Sequence, residues 1–275
     1  MITTRFVDVP ARPGARAARL AVHLTGRGPL AVLVHGYPLD HRMWLDALHG
    51  PLAAHRTLAA IDLRGHGDSP GSGEDVHTME RFADDVAAVV RTLADGPADV
   101  VSLSMGGYVA FALWARHPQL ARSLVLANTR AVADSPEARA GRDAAVTTVL
   151  GKGRAAIADG MLPRLLGASS DPLLAARVRT MIEDAPIETI VADLRGLRDR
   201  ADRTPLLPSI AVPTLVVAGD HDAIAPVAES EAMAKAIPGA QFAVFAGCAH
   251  LVPMERPAEF AAAVAAFWRA SSSAP

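Results

Sequence analysis

Residues 100–111 read VVSLSMGGYVAF and place two serines, Ser102 and Ser104, between a β-branched run and a pair of glycines. A serine hydroxyl is a poor nucleophile until a base takes its proton, so the serine that does chemistry must be presented outward with a histidine in reach. Ser104 stands where a strand-like run gives way to a helix-like one opening with Met105, Gly106 and Gly107. Such a turn lifts the side chain off the sheet and sets it at the positive end of a helix dipole. The turn is crowded, so the residues two before and two after the nucleophile must be small. For Ser104 they are Ser102 and Gly106; for Ser102 the first would be the bulky Val100. Ser104 is the candidate nucleophile, and Ser102 is its small flank.

Ten histidines are available as the base. His250 is set apart by its place in Phe245-Ala246-Gly247-Cys248-Ala249-His250, directly after a strand-like run. An acid must orient it. Asp222 follows another such run in Val217-Ala218-Gly219-Asp220-His221-Asp222, with Asp220 as a neighbour on the same loop. Both segments fall at the carboxyl ends of strands, where open parallel sheets hold their ligands.

The elements that must position these groups alternate along the chain. Arg5–Val9 and Ala17–Thr25 read as an opening pair of strands. Leu30–His35, Leu58–Leu63, Asp99–Leu103 and Ser123–Ala127 are short apolar runs, as buried parallel strands are. Met79–Leu93 has helical spacing, with Phe82, Val86, Val89, Val90 and Leu93 on one face. From 131 to 206 strand signals vanish and four helical stretches remain. Ser135-Pro136 and Asp171-Pro172 open two of them, each with a capping side chain before a first-turn proline, and Pro186 opens the fourth. The α/β rhythm resumes with Thr214–Ala218, a helix near Val227–Ile237, Gln241–Ala246 and a last helix over Pro257–Arg269. The expected fold is an α/β sheet of eight mostly parallel strands flanked by helices. Residues 1–130 and 207–275 form its core domain, and 131–206 an all-helical cap.

Several ordered motifs now carry a resemblance. His35-Gly36-Tyr37-Pro38 resembles an HGxP loop and Asp62-Leu63-Arg64-Gly65-His66-Gly67-Asp68-Ser69 a D-x-R-G-x-G-x-S segment. Ser104-Met105-Gly106-Gly107 resembles a nucleophile elbow, Gly219–Asp222 with Pro226 an acid loop, and Gly247–His250 with Glu255 and Pro257 a final histidine segment. Over nearly its full length the chain resembles the α/β-hydrolases, in particular small bacterial carboxylesterases and enol-lactonases of the 3-oxoadipate type. The resemblance implies the chain order Ser104, Asp222, His250 for a catalytic triad. It prefers Asp222 to Asp220, because the third position after Gly219 is the usual site of the acid. It places the oxyanion donors on the backbone N–H groups of Tyr37 and Met105. Two departures stand out: Ser102 replaces the first elbow glycine, and Ala249 replaces a glycine before the histidine. Either could narrow the pocket by a methyl-sized amount.

The implied activity is hydrolysis of small to medium carboxylic esters through an acyl-enzyme, with a lactonase as the alternative. Met161 and Leu165 are expected among the apolar residues that roof the pocket, and Arg130 is expected to pair with the cap or to meet a substrate carboxylate. His35, His66 and Asp68 read as loop-holding residues. No organic cofactor or metal is called for: HExxH, paired CxxC and GxxxxGK[ST] are all missing from the sequence. Lys plus Arg number 27 against 29 Asp plus Glu, a net charge of −2 that asks for neither nucleic acid nor an anionic membrane. The lone Cys248, an N-terminus without an apolar signal segment and no membrane-length apolar run make a cytoplasmic protein with a small-molecule ester as partner the expectation.

Overall fold

The apolar runs become strands because parallel strands are covered on both faces and tolerate no polar alternation. In the computed structural model, which describes residues 1–11, 16–71, 73–167 and 170–272, β1 (Thr3–Val9), β2 (Ala18–Gly26), β3 (Leu30–Val34), β4 (Thr57–Ile61), β5 (Ala98–Leu103), β6 (Ala121–Ala127), β7 (Thr214–Gly219) and β8 (Gln241–Phe245) form one sheet. Its order is β1-β2-β4-β3-β5-β6-β7-β8, and β2 alone runs against the others. Every residue of β3, β5 and β7 is buried, whereas β8 at the edge is partly open. The expected strands are therefore present, with ends shifted by a residue or two.

The chain leaves β3 toward β4 on one side and returns to β5 on the other. The carboxyl ends of β3 and β5 thus flank a point where the winding reverses, which is where a crevice opens in such sheets. The loop at Gly36 and the turn at Ser104 both emerge there.

The helices of the core are α1 (Leu45–His49), α2 (Met79–Leu93), α3 (Met105–Arg116), α7 (Val227–Ala236), α8 (Val252–Glu255) and α9 (Pro257–Ser272). Between β6 and β7 lie α4 (Pro136–Leu165), α5 (Pro172–Asp184) and α6 (Ile187–Arg198). Ser135 caps α4 by accepting the N–H of Ala138 at 3.2 Å, and Asp171 caps α5 through Leu173 at 2.8 Å. α4 bends at Gly153, whose φ of 77° is left-handed, so the insertion holds four straight helical segments in three helices.

The insertion is fastened to the core by buried polar contacts. Asp193 on α6 meets Nε2 of His66 at 2.9 Å and Nδ1 of His77 at 2.8 Å, and Thr189 Oγ1 donates to Gly65 O at 3.0 Å. Burial opposes the charge of Asp193, but the two histidines win and hold its carboxyl below the usual range. Arg64 is likewise locked to Asp85 by two bonds of 2.5 and 2.7 Å. Gly67 has φ of 49°, and a Cβ there would lie 2.4 Å from Asp62 Oδ2. Only glycine lets this loop close over the buried carboxylate.

Candidate active site

Ser104 is the hinge between β5 and α3 and has φ 53° and ψ −113°. A non-glycine residue pays steric strain in this region and holds it only where neighbours over-determine the backbone. Here they do. The Ser104 N–H donates to Ala127 O at 2.9 Å, and its carbonyl accepts Gly107 N–H at 2.9 Å and Thr129 Oγ1 at 2.8 Å. A Cβ at Gly106 would come within 2.3 Å of Val34 O, and one at Gly107 within 2.3 Å of Thr129 Oγ1. Both glycines are thus dictated by the approach of the elbow to β3 and to the chain after β6.

Ser102 is fully buried, and its Oγ donates to Val125 O at 2.8 Å. It cannot be the nucleophile. Ala249 is also buried, and neither residue lines the cavity. The expectation that they narrow the pocket therefore fails: both side chains are used up in packing behind the site.

His250 Nδ1 lies 2.8 Å from Asp222 Oδ2. The other carboxylate oxygen accepts the N–H groups of Ile224 and Ala225 at 2.7 and 2.9 Å. Burial by itself would raise the Asp222 pKa. The hydrogen bonds from His250, the Ala225 N–H and Asn128 outweigh it and hold the carboxyl below its ordinary value. Asp222 is therefore ionised and oriented, and it fixes the imidazole with Nδ1 as the proton-bearing nitrogen. Asp220 is occupied elsewhere, accepting the Gly247 N–H at 2.7 Å.

Asn128 was not singled out from the sequence. It directly follows β6, and its φ of 48° makes it the second of two non-glycine residues with positive φ among the described residues. Its Nδ2 donates to Asp222 Oδ2 at 2.9 Å and to Ala249 O at 3.2 Å. One side chain thereby ties the acid to the histidine loop. The signal for it was an Asn at a strand's carboxyl end, where Asn tolerates left-handed backbone.

Glu255 clamps the same loop from the other side. Its carboxylate accepts the N–H groups of Ala249 and Leu251, which flank His250, and that of Gly167 beyond α4. His250 N–H in turn donates to Leu165 O at 3.1 Å. The histidine is thus wedged between the core and the end of α4.

A cavity of about 500 Å³ opens over Ser104 and His250. Tyr37, Met105, Met161, Leu165 and Arg130 all line it, so the three expected pocket residues and both expected oxyanion residues meet there. The N–H groups of Tyr37 and Met105 have no protein acceptor among the described residues. Arg130 is held by Glu229 on α7, through Nε at 2.6 Å and Nη2 at 3.1 Å. Its partner is a core helix, and the insertion does not hold it.

His35 holds the loop that carries Tyr37. Its Nδ1 faces Gly36 O at 3.0 Å, and its Nε2 accepts Leu63 N–H at 3.1 Å. Burial, with His66 nearby, pushes its pKa down to about 4, so it is neutral at pH 7. The thiol of Cys248 is pushed up to about 11 by burial and by Glu255 beside it, which leaves it protonated and unreactive.

One group away from the cavity offers metal-ligating atoms within 4.8 Å of one another: His23, His41, Asp62 and Asp68. The two imidazoles are stacked at 3.5 Å with 19° between planes. An ion cannot lie in the plane of both rings, where their lone pairs point. Asp62 already accepts from both histidines and from the Asp68 N–H. The arrangement is that of a buried carboxylate neutralised by hydrogen bonds.

The profile of the α/β hydrolase fold family matches residues 29–257. The chain belongs to this family. It is 32% identical over 238 residues to a pimeloyl-[acyl-carrier protein] methyl ester esterase of Neisseria meningitidis, covering 84% of this chain and 90% of that one. A malate-bound thermophilic esterase from Thermogutta terrifontis superposes with TM-score 0.92 at 39% identity, covering 98% of this chain and 99% of the other. An enol-lactonase from Burkholderia xenovorans superposes with TM-score 0.86 at 29% identity, covering 95% and 99%. The α/β-hydrolase chain is a hydrolase with esterases among its relatives. Among its described residues no helix is long and apolar enough to cross a membrane.

Proposed function

We propose that this α/β-hydrolase is a serine carboxylesterase acting on small to medium esters through Ser104, His250 and Asp222. The observation that carries the reading is the 2.8 Å His250–Asp222 bond on a cavity whose floor is a strained serine elbow. In this mechanism Ser104 Oγ attacks the ester carbonyl while His250 Nε2 takes its proton. The charge gathering on the carbonyl oxygen is met by the N–H groups of Tyr37 and Met105, donors already in place before reaction. Asp222 keeps the tautomer and stabilises the imidazolium that forms. The imidazolium then protonates the leaving alcohol. Water enters, loses a proton to His250 and cleaves the acyl-serine.

The division into a core of 1–130 and 207–275 and a cap of 131–206 belongs to the same proposal, the cap supplying the roof over Ser104. A cytoplasmic setting accompanies it, since the one cysteine can form no internal disulfide and calls for no oxidising compartment. The second reading is a lactonase, favoured by the likeness to an enol-lactonase; the same groups would open a cyclic ester.

The test is kcat/KM for wild type and Ser104→Ala on aryl esters of rising acyl length, a methyl ester and an enol-lactone. Turnover of neutral esters that disappears in the variant supports the esterase. A dominant lactone supports the second reading. Equal rates in both proteins would remove Ser104 from the chemistry.

A further inference from the structure

Two under-used arginines on the cavity wall indicate what kind of ester it receives; this inference rests on the ester-hydrolase reading above. Three arginines line the cavity: Arg130, Arg142 and Arg164. Arg130 is occupied by Glu229 through two nitrogens. Arg142 donates only through Nε, to Asp134 Oδ2 at 3.0 Å, and its terminal amino groups meet no protein acceptor among the described residues. Asp134 does not neutralise it outright, because it also takes a 2.5 Å bond from Arg200. Arg164 is exposed and has no hydrogen bond or ion pair among the described residues. Away from the cavity on the same insertion, Arg177, Arg179 and Arg198 each hold a carboxylate, and Arg154 and Arg195 reach backbone carbonyls.

The remaining acidic residue of the wall, Glu137, is fully exposed. Counting the wall with its immediate partners, four arginines (130, 142, 164 and 200) face four carboxylates (134, 137, 222 and 229), of which Asp222 is taken by His250 and Asp134 is shared by two arginines. Both under-used arginines sit on α4, on either side of its bend at Gly153. Arg164 adjoins Leu165, whose carbonyl accepts the N–H of His250, so this cation leaves the helix next to the histidine loop.

We propose that Arg142 and Arg164 form an anion subsite, and that the preferred substrates are esters bearing a second, ionised carboxylate: half-esters of dicarboxylic acids. A guanidinium fork matches a carboxylate in shape and charge.

The experiment compares kcat/KM for the monomethyl esters of glutaric, adipic and suberic acid with the neutral methyl esters of the same chain length. Wild type should favour the anionic partner by about tenfold or more at one length, the effect of one charge-assisted hydrogen bond. Arg142→Gln and Arg164→Gln should each cut that ratio, mainly through KM, and the double variant should abolish it. A wild-type ratio of one or less at every length, or a ratio unmoved in the double variant, overturns the proposal. Calorimetric titration of Ser104→Ala with monomethyl adipate gives binding without turnover. Binding lost on adding the two arginine substitutions supports the subsite; binding indifferent to them overturns it. If wild type hydrolyses none of these esters while arginine-dependent binding persists, the ester-hydrolase reading falls and the subsite stands.

Discussion

The cavity has two walls of different construction. Ser104, Asn128, Asp222 and His250 come from the sheet, each one to five residues beyond a strand. Their backbones are pinned by hydrogen bonds, two of them at positive φ. Met161, Leu165 and Leu194 come from the insertion, where side-chain packing and ion pairs set position. Reaction needs groups held to fractions of an ångström, and backbone hydrogen bonds supply that precision. Selection needs a surface, and side chains of varied length supply it. Changes on the first wall should cost orders of magnitude in kcat, and changes on the second should cost factors in preference.

The largest effect belongs to Ser104→Ala. Loss of the nucleophile should lower kcat by about 10⁴–10⁶-fold, leaving only what oxyanion donors and binding provide. Intact-mass detection of an acyl-enzyme with a slow ester would place the acyl group on wild type alone. Asp222→Asn comes next, with a loss of about 10⁴-fold, because Asn forces His250 into the wrong tautomer. Its unfolding curve in urea checks that the fold survives. A loss under tenfold would mean that the backbone and Asn128 alone orient the imidazole.

The candidate serine, acid and histidine of the first wall were legible in the sequence; the partners that fix the second wall were not. Crowding at the elbow excluded Ser102 through Val100, the carboxyl ends of apolar runs pointed to His250 and to the loop of Asp220 and Asp222, and the family resemblance chose Asp222. These constraints are local: a turn of given shape admits few residue types. Asn128 escaped notice because its role depends on β6, β7 and the histidine loop meeting in space. Met161, Leu165 and Arg130 could be placed near the cavity, but the partner of Arg130 on α7 lies 99 residues away and no spacing encodes it. The burial of Ser102 and Ala249 behind the site was also a tertiary fact.

Acid should loosen the first wall. His35 is neutral in the folded protein because burial, with His66 nearby, drops its pKa from 6.5 to about 4. The unfolded chain binds that proton more readily, so stability rises with pH between these values. The contribution, about 3 kcal/mol, is present above pH 6.5 and lost as pH falls toward 4. In urea unfolding, wild type should lose about that much more than His35→Gln between pH 7 and pH 4. Parallel profiles would show that the loop holding Tyr37 does not depend on the neutral ring.

On the second wall, Met161→Ala should act on preference. Shortening a half-buried side chain in the roof opens room for a longer acyl chain, and a methylene in such a pocket is worth about 1–3 kcal/mol. The octanoate-to-butyrate ratio of kcat/KM for aryl esters should rise by about tenfold, with kcat on the shorter ester nearly unchanged. An equal fall on both esters would mean that this residue supports His250 through Leu165 and so belongs to the first wall.

The smallest effect is expected at a residue that belongs to both walls. Tyr37 is assigned an oxyanion donor in its backbone N–H, while its side chain lies under the insertion. Its hydroxyl is buried with no hydrogen-bond partner among the described residues, and burial together with Asp193 raises its pKa so that it stays neutral. An unsatisfied buried hydroxyl is a cost, so Tyr37→Phe should leave stability unchanged or raise it by up to about 1 kcal/mol. Because the backbone donor survives the change, kcat should stay within about twofold, measured on the same aryl ester. A loss of 10²–10³-fold, the usual effect of deleting an oxyanion donor, would mean that the hydroxyl itself swings toward the reacting carbonyl. The second wall would then take part in the chemistry, and the contrast between backbone-held reaction and side-chain selection would fail at its most exposed point.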